Sequence, residues 1–190
     1  MDKICTYSFQ EYLRMVESFH GSESPGLILG GIMVDYALSE IPEGVLFDAI
    51  CETKPCLPDA IQLLTPCTFG NGWLKVINLG RFAISLYEKK EGKGVRIFLD
   101  PSKLGERSEI RNWLYKLKSK SEQDQDRLIA EMRVAGRSVL GMRTVVVKPQ
   151  HLGKTSRGAI TDCKICGEPY PERDGTVCRA CGGESPYIEK

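Results

Sequence analysis

Four cysteines near the end of the chain constrain its fold more than any other feature: Cys163-Lys-Ile-Cys166 and Cys178-Arg-Ala-Cys181, with eleven residues between the pairs. Two residues between thiolates let a tight turn aim both sulfurs at one ion, and a Gly after each pair, Gly167 and Gly182, permits the positive φ such turns use. About 30 residues cannot bury a sufficient core, so the ion contributes most of the module's folding energy. A closed set of four thiolates predicts structural Zn2+ without an open coordination position, in a zinc ribbon or a treble clef, with rubredoxin-like iron as the alternative. Between 151 and 190 six basic residues balance six acidic ones, so with thiolates and zinc the module is net negative. That disfavours nucleic acid and favours protein contact, leaving a zinc-ribbon nucleic-acid binder as the weakest reading of the chain.

The other 150 or so residues are ordinary globular sequence: 42% hydrophobic, 26 Lys+Arg against 25 Asp+Glu. No run reaches the ~18 apolar residues of a spanning helix, and MDKICTYSFQEY is too polar for a secretory signal. The expectation is a cytoplasmic protein with no membrane segment, in which clustered cysteines mean metal before disulfides.

Helical spacing of Phe9, Tyr12, Leu13, Val16 and His20, stopped by Gly21, predicts a helix over 8–20. Ser24-Pro25 reads as an N-cap with Pro at the first helical position, opening a second helix whose Gly26, Gly30 and Gly31 would let a neighbour approach its backbone. VLFDAICE (45–52) alternates like a strand, a short helix follows with Pro58 in its first turn, and LKVINLG, RFAISLYEKK and VRIFLD read as strands, antiparallel by default. Residues 101–139 turn helical and charged, in two helices or one bent one. Their apolar positions Leu114, Leu117, Leu128, Ile129, Met132 and Val139 suit either core packing or a dimer seam, and a homodimer formed by the core is expected. The basic cluster KLKSK (116–120), followed by SEQDQD, reads as a solvated helical face. RTVVVKP (143–149) would return a strand to the sheet. The fold class is therefore α+β: an antiparallel or mixed sheet packed with helices over 1–150, a linker at 151–160, and a small zinc module over 161–190.

Within the core, His20 ends a helix, Cys56 precedes one, Asp59 lies a turn beyond Cys56, and Cys67 follows the same helix. One imidazole and two soft sulfurs suit a second metal or a reactive thiol, with Asp59 able to hydrogen-bond a ligand. The bland alternative makes His20 a satisfied core histidine and the cysteines packing residues, as Cys5 and Cys51 are expected to be.

The stretch Phe19-His20-Gly21-Ser22-Glu23-Ser24-Pro25-Gly26, then Gly30, Glu52, Cys56, Asp59-Ala60-Ile61-Gln62 and Cys67-Thr68-x-Gly70, resembles the formylmethanofuran dehydrogenase FmdE family in motif order and spacing. A cysteine-rich tail is carried by some of its members. In that family the first motif usually reads FHGHxCPG, so Ser22 and Ser24 stand here where a second His and a Cys are usual. The resemblance implies a prokaryotic protein linked to the molybdenum or tungsten formylmethanofuran dehydrogenase of methanogenesis or related one-carbon metabolism. It implies an associated chain rather than the catalytic one, since no pterin, cluster or nucleotide motif is visible.

Overall fold

A computed structural model describes residues 1–105, 108–154, 156 and 158–188; parts of the expected linker (155 and 157) and of the charged 101–139 region (106 and 107) lie outside them. The chain divides into two compact units, Met1–Gly153 and Lys154–Lys190.

In the first unit a small ribbon of β1 (Lys3–Ile4) and β2 (Tyr7–Ser8) leads into α1 (Phe9–His20). Ser8 caps α1: its hydroxyl accepts from the Glu11 N–H while the Glu11 carboxylate accepts from the Ser8 N–H at 2.7 Å, satisfying two otherwise orphaned donors. Gly21 ends the helix in the left-handed region at φ 81°. α2 (Pro25–Ser39) is buried nearly all round, which its apolar sequence requires. Its three glycines are contact points: a Cβ on Gly26 would lie 2.8 Å from Cys56, one on Gly30 2.8 Å from Ala60, and one on Gly31 2.5 Å from the Tyr12 ring. The expected close approach therefore comes from two sides, α3 (Leu57–Leu64) and α1.

β3 (Phe47–Cys51), α3 and β4 (Leu74–Val76) form a crossover, so β3 and β4 pair in parallel. β5 (Ala83–Glu88), β6 (Lys93–Leu99) and, further along the chain, β7 (Leu140–Val146) add antiparallel neighbours, giving the order β4-β3-β5-β6-β7. The sheet is thus mixed: the antiparallel expectation fails at the one pair joined by a helix. Ala49, Cys51, Ile84, Leu86, Val95 and Ile97 face the helices and close the core. On the sheet's other face Glu52, with a side chain only 7% exposed, holds Arg96 in two bonds (2.6 and 2.8 Å) and Arg81 at 2.7 Å.

The charged region is less helical than its composition suggests. α4 (Glu109–Leu114) has six residues and α5 (Gln125–Ala135) eleven, with a non-helical loop between them. The cause is Glu109, which is 3% exposed and binds Lys118 at 2.7 Å and Gln123. Residues nine and fourteen positions on would rise roughly 13 and 21 Å along a continuous helix, so the chain must fold back to reach it. Leu128, Ile129, Met132 and Val139 enter the core and Leu114 packs against it, leaving only Leu117 exposed. The apolar surplus expected to form a dimer seam is absorbed within the unit.

The second unit pairs β8 (Ile160–Asp162) with β9 (Pro169–Pro171), followed by a short helical turn over Ala180–Glu184.

Candidate functional site

In the small unit the first cysteine pair sits in the turn between β8 and β9, where Gly167 at φ 75° donates its N–H to the Cys163 carbonyl. The second pair opens the helical turn, with the Gly182 N–H on the Cys178 carbonyl. A hairpin knuckle plus a helical start is a treble clef rather than a ribbon, which would need a second hairpin. All four sulfurs lie within 4.8 Å of one another, and Cys166 and Cys178 are 3.8 Å apart. Four thiolates at about 2.3 Å from a tetrahedral zinc are separated by roughly 3.8 Å, so the donor set fits the ion. Backbone N–H groups of Cys166, Cys178 and Ile165 hold the Cys163 thiol down at about 6, whereas hydrogen bonds shared with Cys178 and Cys166 push Cys181 up to about 12. Four crowded thiols resist losing all their protons alone, and a divalent cation supplies the missing charge. The finger is a structural zinc site.

The core contains a cleft of about 900 Å³ reached by His20, Ser22, Ser24 and Cys56. Cys56 stands at the start of α3 with φ 61° and ψ −57°, and the Leu57 N–H donates to the Pro55 carbonyl at 2.7 Å. This is a γ-turn of the strained, positive-φ kind, which for a residue with a Cβ costs on the order of 1–3 kcal/mol. Gly26 makes it possible, because only a residue without a side chain lets α2 pass against the Cys56 Cβ and Sγ. The Ser24 side chain does not cap α2, although Ser24 holds the N-cap position; its Oγ lies 3.4 Å from the Cys56 Sγ.

His20 is partly exposed, its Nδ1 3.0 Å from the Asp59 Oδ2, so the core-histidine alternative does not hold. Asp59 holds the imidazole and leaves Nε2 toward other partners. Cys67 is not part of this site. It is fully buried, its sulfur on the Phe47 carbonyl at 3.6 Å, and burial pushes its thiol up to about 11. Cys51 is buried, its thiol likewise pushed up to about 11; so is that of the half-buried Cys5, where the charge of Asp35 adds to burial. Among the described residues the finger quartet is the only group of three or more candidate ligands within metal-binding distance.

The sequence reading missed the opposite wall of the cleft. Trp113, Lys116, Lys118, Lys120 and Gln123 line it, so KLKSK is a loop facing a cavity and not a solvated helical face. Lys116 adopts φ 52°, so two of the three non-glycine residues with positive φ, Cys56 and Lys116, border this one cleft. The available signal was Glu109, a carboxylate at an apolar-flanked helix start that needed a cation.

Residues 19–147 match the family described as FmdE, Molybdenum formylmethanofuran dehydrogenase operon, and residues 154–188 match the FmdE treble clef zinc finger. A crystal structure of an FmdE-like protein of tungsten formylmethanofuran dehydrogenase, from Syntrophus aciditrophicus, is 53% identical, with a TM-score of 0.90 and 98% of each chain covered. A curated protein of Archaeoglobus fulgidus, named probable S-adenosyl-L-methionine-binding protein, is 28% identical over 195 residues. That match takes in 90% of this chain and 52% of the relative, so the chain spans about half the relative's length.

Proposed function

Since the chain belongs to the FmdE family, with the family's core and its treble-clef finger on one polypeptide, we propose that it is a zinc-stabilised accessory protein that binds a partner in molybdenum- or tungsten-dependent one-carbon metabolism. The partner is a formylmethanofuran dehydrogenase complex, met in the cytoplasm. The observation that carries this reading is the finger's surface: Ile165 is 68% exposed and Tyr187 80%, on a module with balanced charge and a closed metal site. Exposed apolar side chains on a unit too small to spare them suit a protein interface. Binding of purified dehydrogenase to the immobilised full chain tests it. Capture that is lost in Ile165→Glu with the zinc retained supports the reading, and capture unaffected by removal of the finger refutes it. A homodimer belongs to the same proposal. Its support is β7, an edge strand of seven residues with Met142 and Val146 exposed, which suits pairing with a second copy. A monomeric mass by light scattering at micromolar concentration refutes it.

A second reading makes the core cleft a thiol- or metal-dependent enzyme site, using Cys56 with His20 and Asp59 and without Cys67. The strained γ-turn at Cys56 favours it, since strain in well-packed structures gathers at working sites. A second metal equivalent that disappears in Cys56→Ser with the finger intact supports it. Retention of every equivalent in that variant counts against a metal there.

A further inference from the structure

We propose that the core cleft binds a small oxyanion carrying a flat ring, a phosphate ester or a carboxylate, with the ring against Trp113 and the anion between Lys116 and Lys120. The proposal takes the cleft as the core's working site but depends neither on a dehydrogenase partner nor on a metal at Cys56.

The charge argument comes first. Lys118 is neutralised by Glu109, whereas Lys116 and Lys120 form no ion pair among the described residues. Glu23 is the one carboxylate among the lining residues, so the two unpaired lysines leave the cleft positive in a chain whose formal net charge is only +1. Two helices also begin here. α2 has no acidic residue in its first turn, and the one on α3, Asp59, is engaged by His20. Both partial positive charges therefore add to the lysines. A cleft with low-dielectric walls concentrates such a field and draws anions to it.

The shape argument is independent of charge. Trp113 is held edge-on by Phe82, with ring centroids 5.4 Å apart at 89°. Its indole passes 3.5 Å from where a Cβ on Gly26 would stand, which fixes it beside the Cys56 turn. Leu128 and Pro25 complete an apolar side next to it. A volume of about 900 Å³ accommodates a ring with substituents and lies within the range of small-molecule sites. The loop bearing the lysines is not free to drift, because buried Glu109 anchors it at Lys118 and Gln123 on either side of Lys120.

The two tryptophans make the test direct, since Trp73 does not line the cleft. Their indole N–H groups give two signals in a proton–nitrogen correlation spectrum of the full-length zinc-loaded chain, assigned by Trp113→Phe. Phenyl phosphate, phenylacetate, inorganic phosphate and phenyltrimethylammonium are titrated in turn. A saturable shift of the Trp113 signal with phenyl phosphate or phenylacetate, and none with the ammonium, is expected. The tighter of the two anions identifies the source of the charge, and inorganic phosphate, lacking the ring, should bind more weakly than phenyl phosphate. A unit charge about 6 Å away in a half-open site is worth roughly threefold, so Lys116→Gln with Lys120→Gln should weaken binding about tenfold. Both lysines are exposed, so the variant keeps the fold. The proposal is overturned if neither aromatic anion moves Trp113 at millimolar concentration, if the ammonium binds as tightly, or if the double variant binds unchanged.

Discussion

Gly31→Ala puts one methyl group where the structure has no room for it. The new Cβ would stand 2.5 Å from Cε1 and Cζ of Tyr12 and 2.6 Å from its hydroxyl, against an ordinary contact of about 3.5–4 Å. Tyr12 cannot simply move aside: it is fully buried and its hydroxyl donates to the Leu27 carbonyl at 2.9 Å. Overpacking costs about 1–3 kcal/mol, and a buried hydroxyl torn from its acceptor costs a similar amount. The better helix propensity of Ala returns about 1 kcal/mol. The net expectation is a destabilisation of about 3 kcal/mol. Urea unfolding followed by tryptophan fluorescence reads it cleanly, because Trp73 and Trp113 both lie in Met1–Gly153 and the finger contributes no signal. Gly70→Ala is the matched control, having nothing within 4 Å of its added Cβ, and should fall within about 0.5 kcal/mol of the wild type. A Gly31→Ala variant as stable as that control would refute the argument that α1 and α2 meet through this glycine.

Acid should weaken the core through Glu52. Burial alone would raise its carboxyl, but the hydrogen bonds and charge of Arg96 and Arg81 outweigh that and hold it below the ordinary 4.5. A depressed folded value means that the stabilisation is complete above about pH 4.5 and lost as pH falls through the folded value. Glu52→Gln should cost about 3 kcal/mol at neutral pH and flatten the acid limb of the stability profile, and an unchanged limb in that variant contradicts the assignment. Chelation of zinc, or Cys166→Ser, should unfold the finger while leaving the core's urea transition in place; a finger still folded without metal sinks the zinc assignment. In native, zinc-loaded protein a thiol reagent should modify Cys56 ahead of the fully buried Cys51 and Cys67, and Cys56→Ser should remove the fast phase. A fast phase that survives in that variant places the reactive thiol elsewhere.

Local signals in this sequence were sufficient wherever the physics acts within one or two turns. Ser8 and Glu11 cap α1 across three positions, Gly21 ends it, Pro25 opens α2, and each Cys-x-x-Cys turn aims its own two sulfurs. The α+β class and the zinc followed from such patterns, and the spaced glycines of α2 announced close neighbours without saying which. The partners themselves were decided by tertiary packing. Ser24 reaches Cys56 across 32 positions and His20 reaches Asp59 across 39, because α2 and α3 cross at Gly26 and Gly30. Cys67, only eleven positions beyond Cys56, turns instead into the core under Phe47. The lysine wall was hidden for a different reason: buried Glu109 demanded cations from its own loop, and its demand broke a helix that composition alone favoured. A buried charge must be paired, and only the folded chain determines which residue is near enough to pair it.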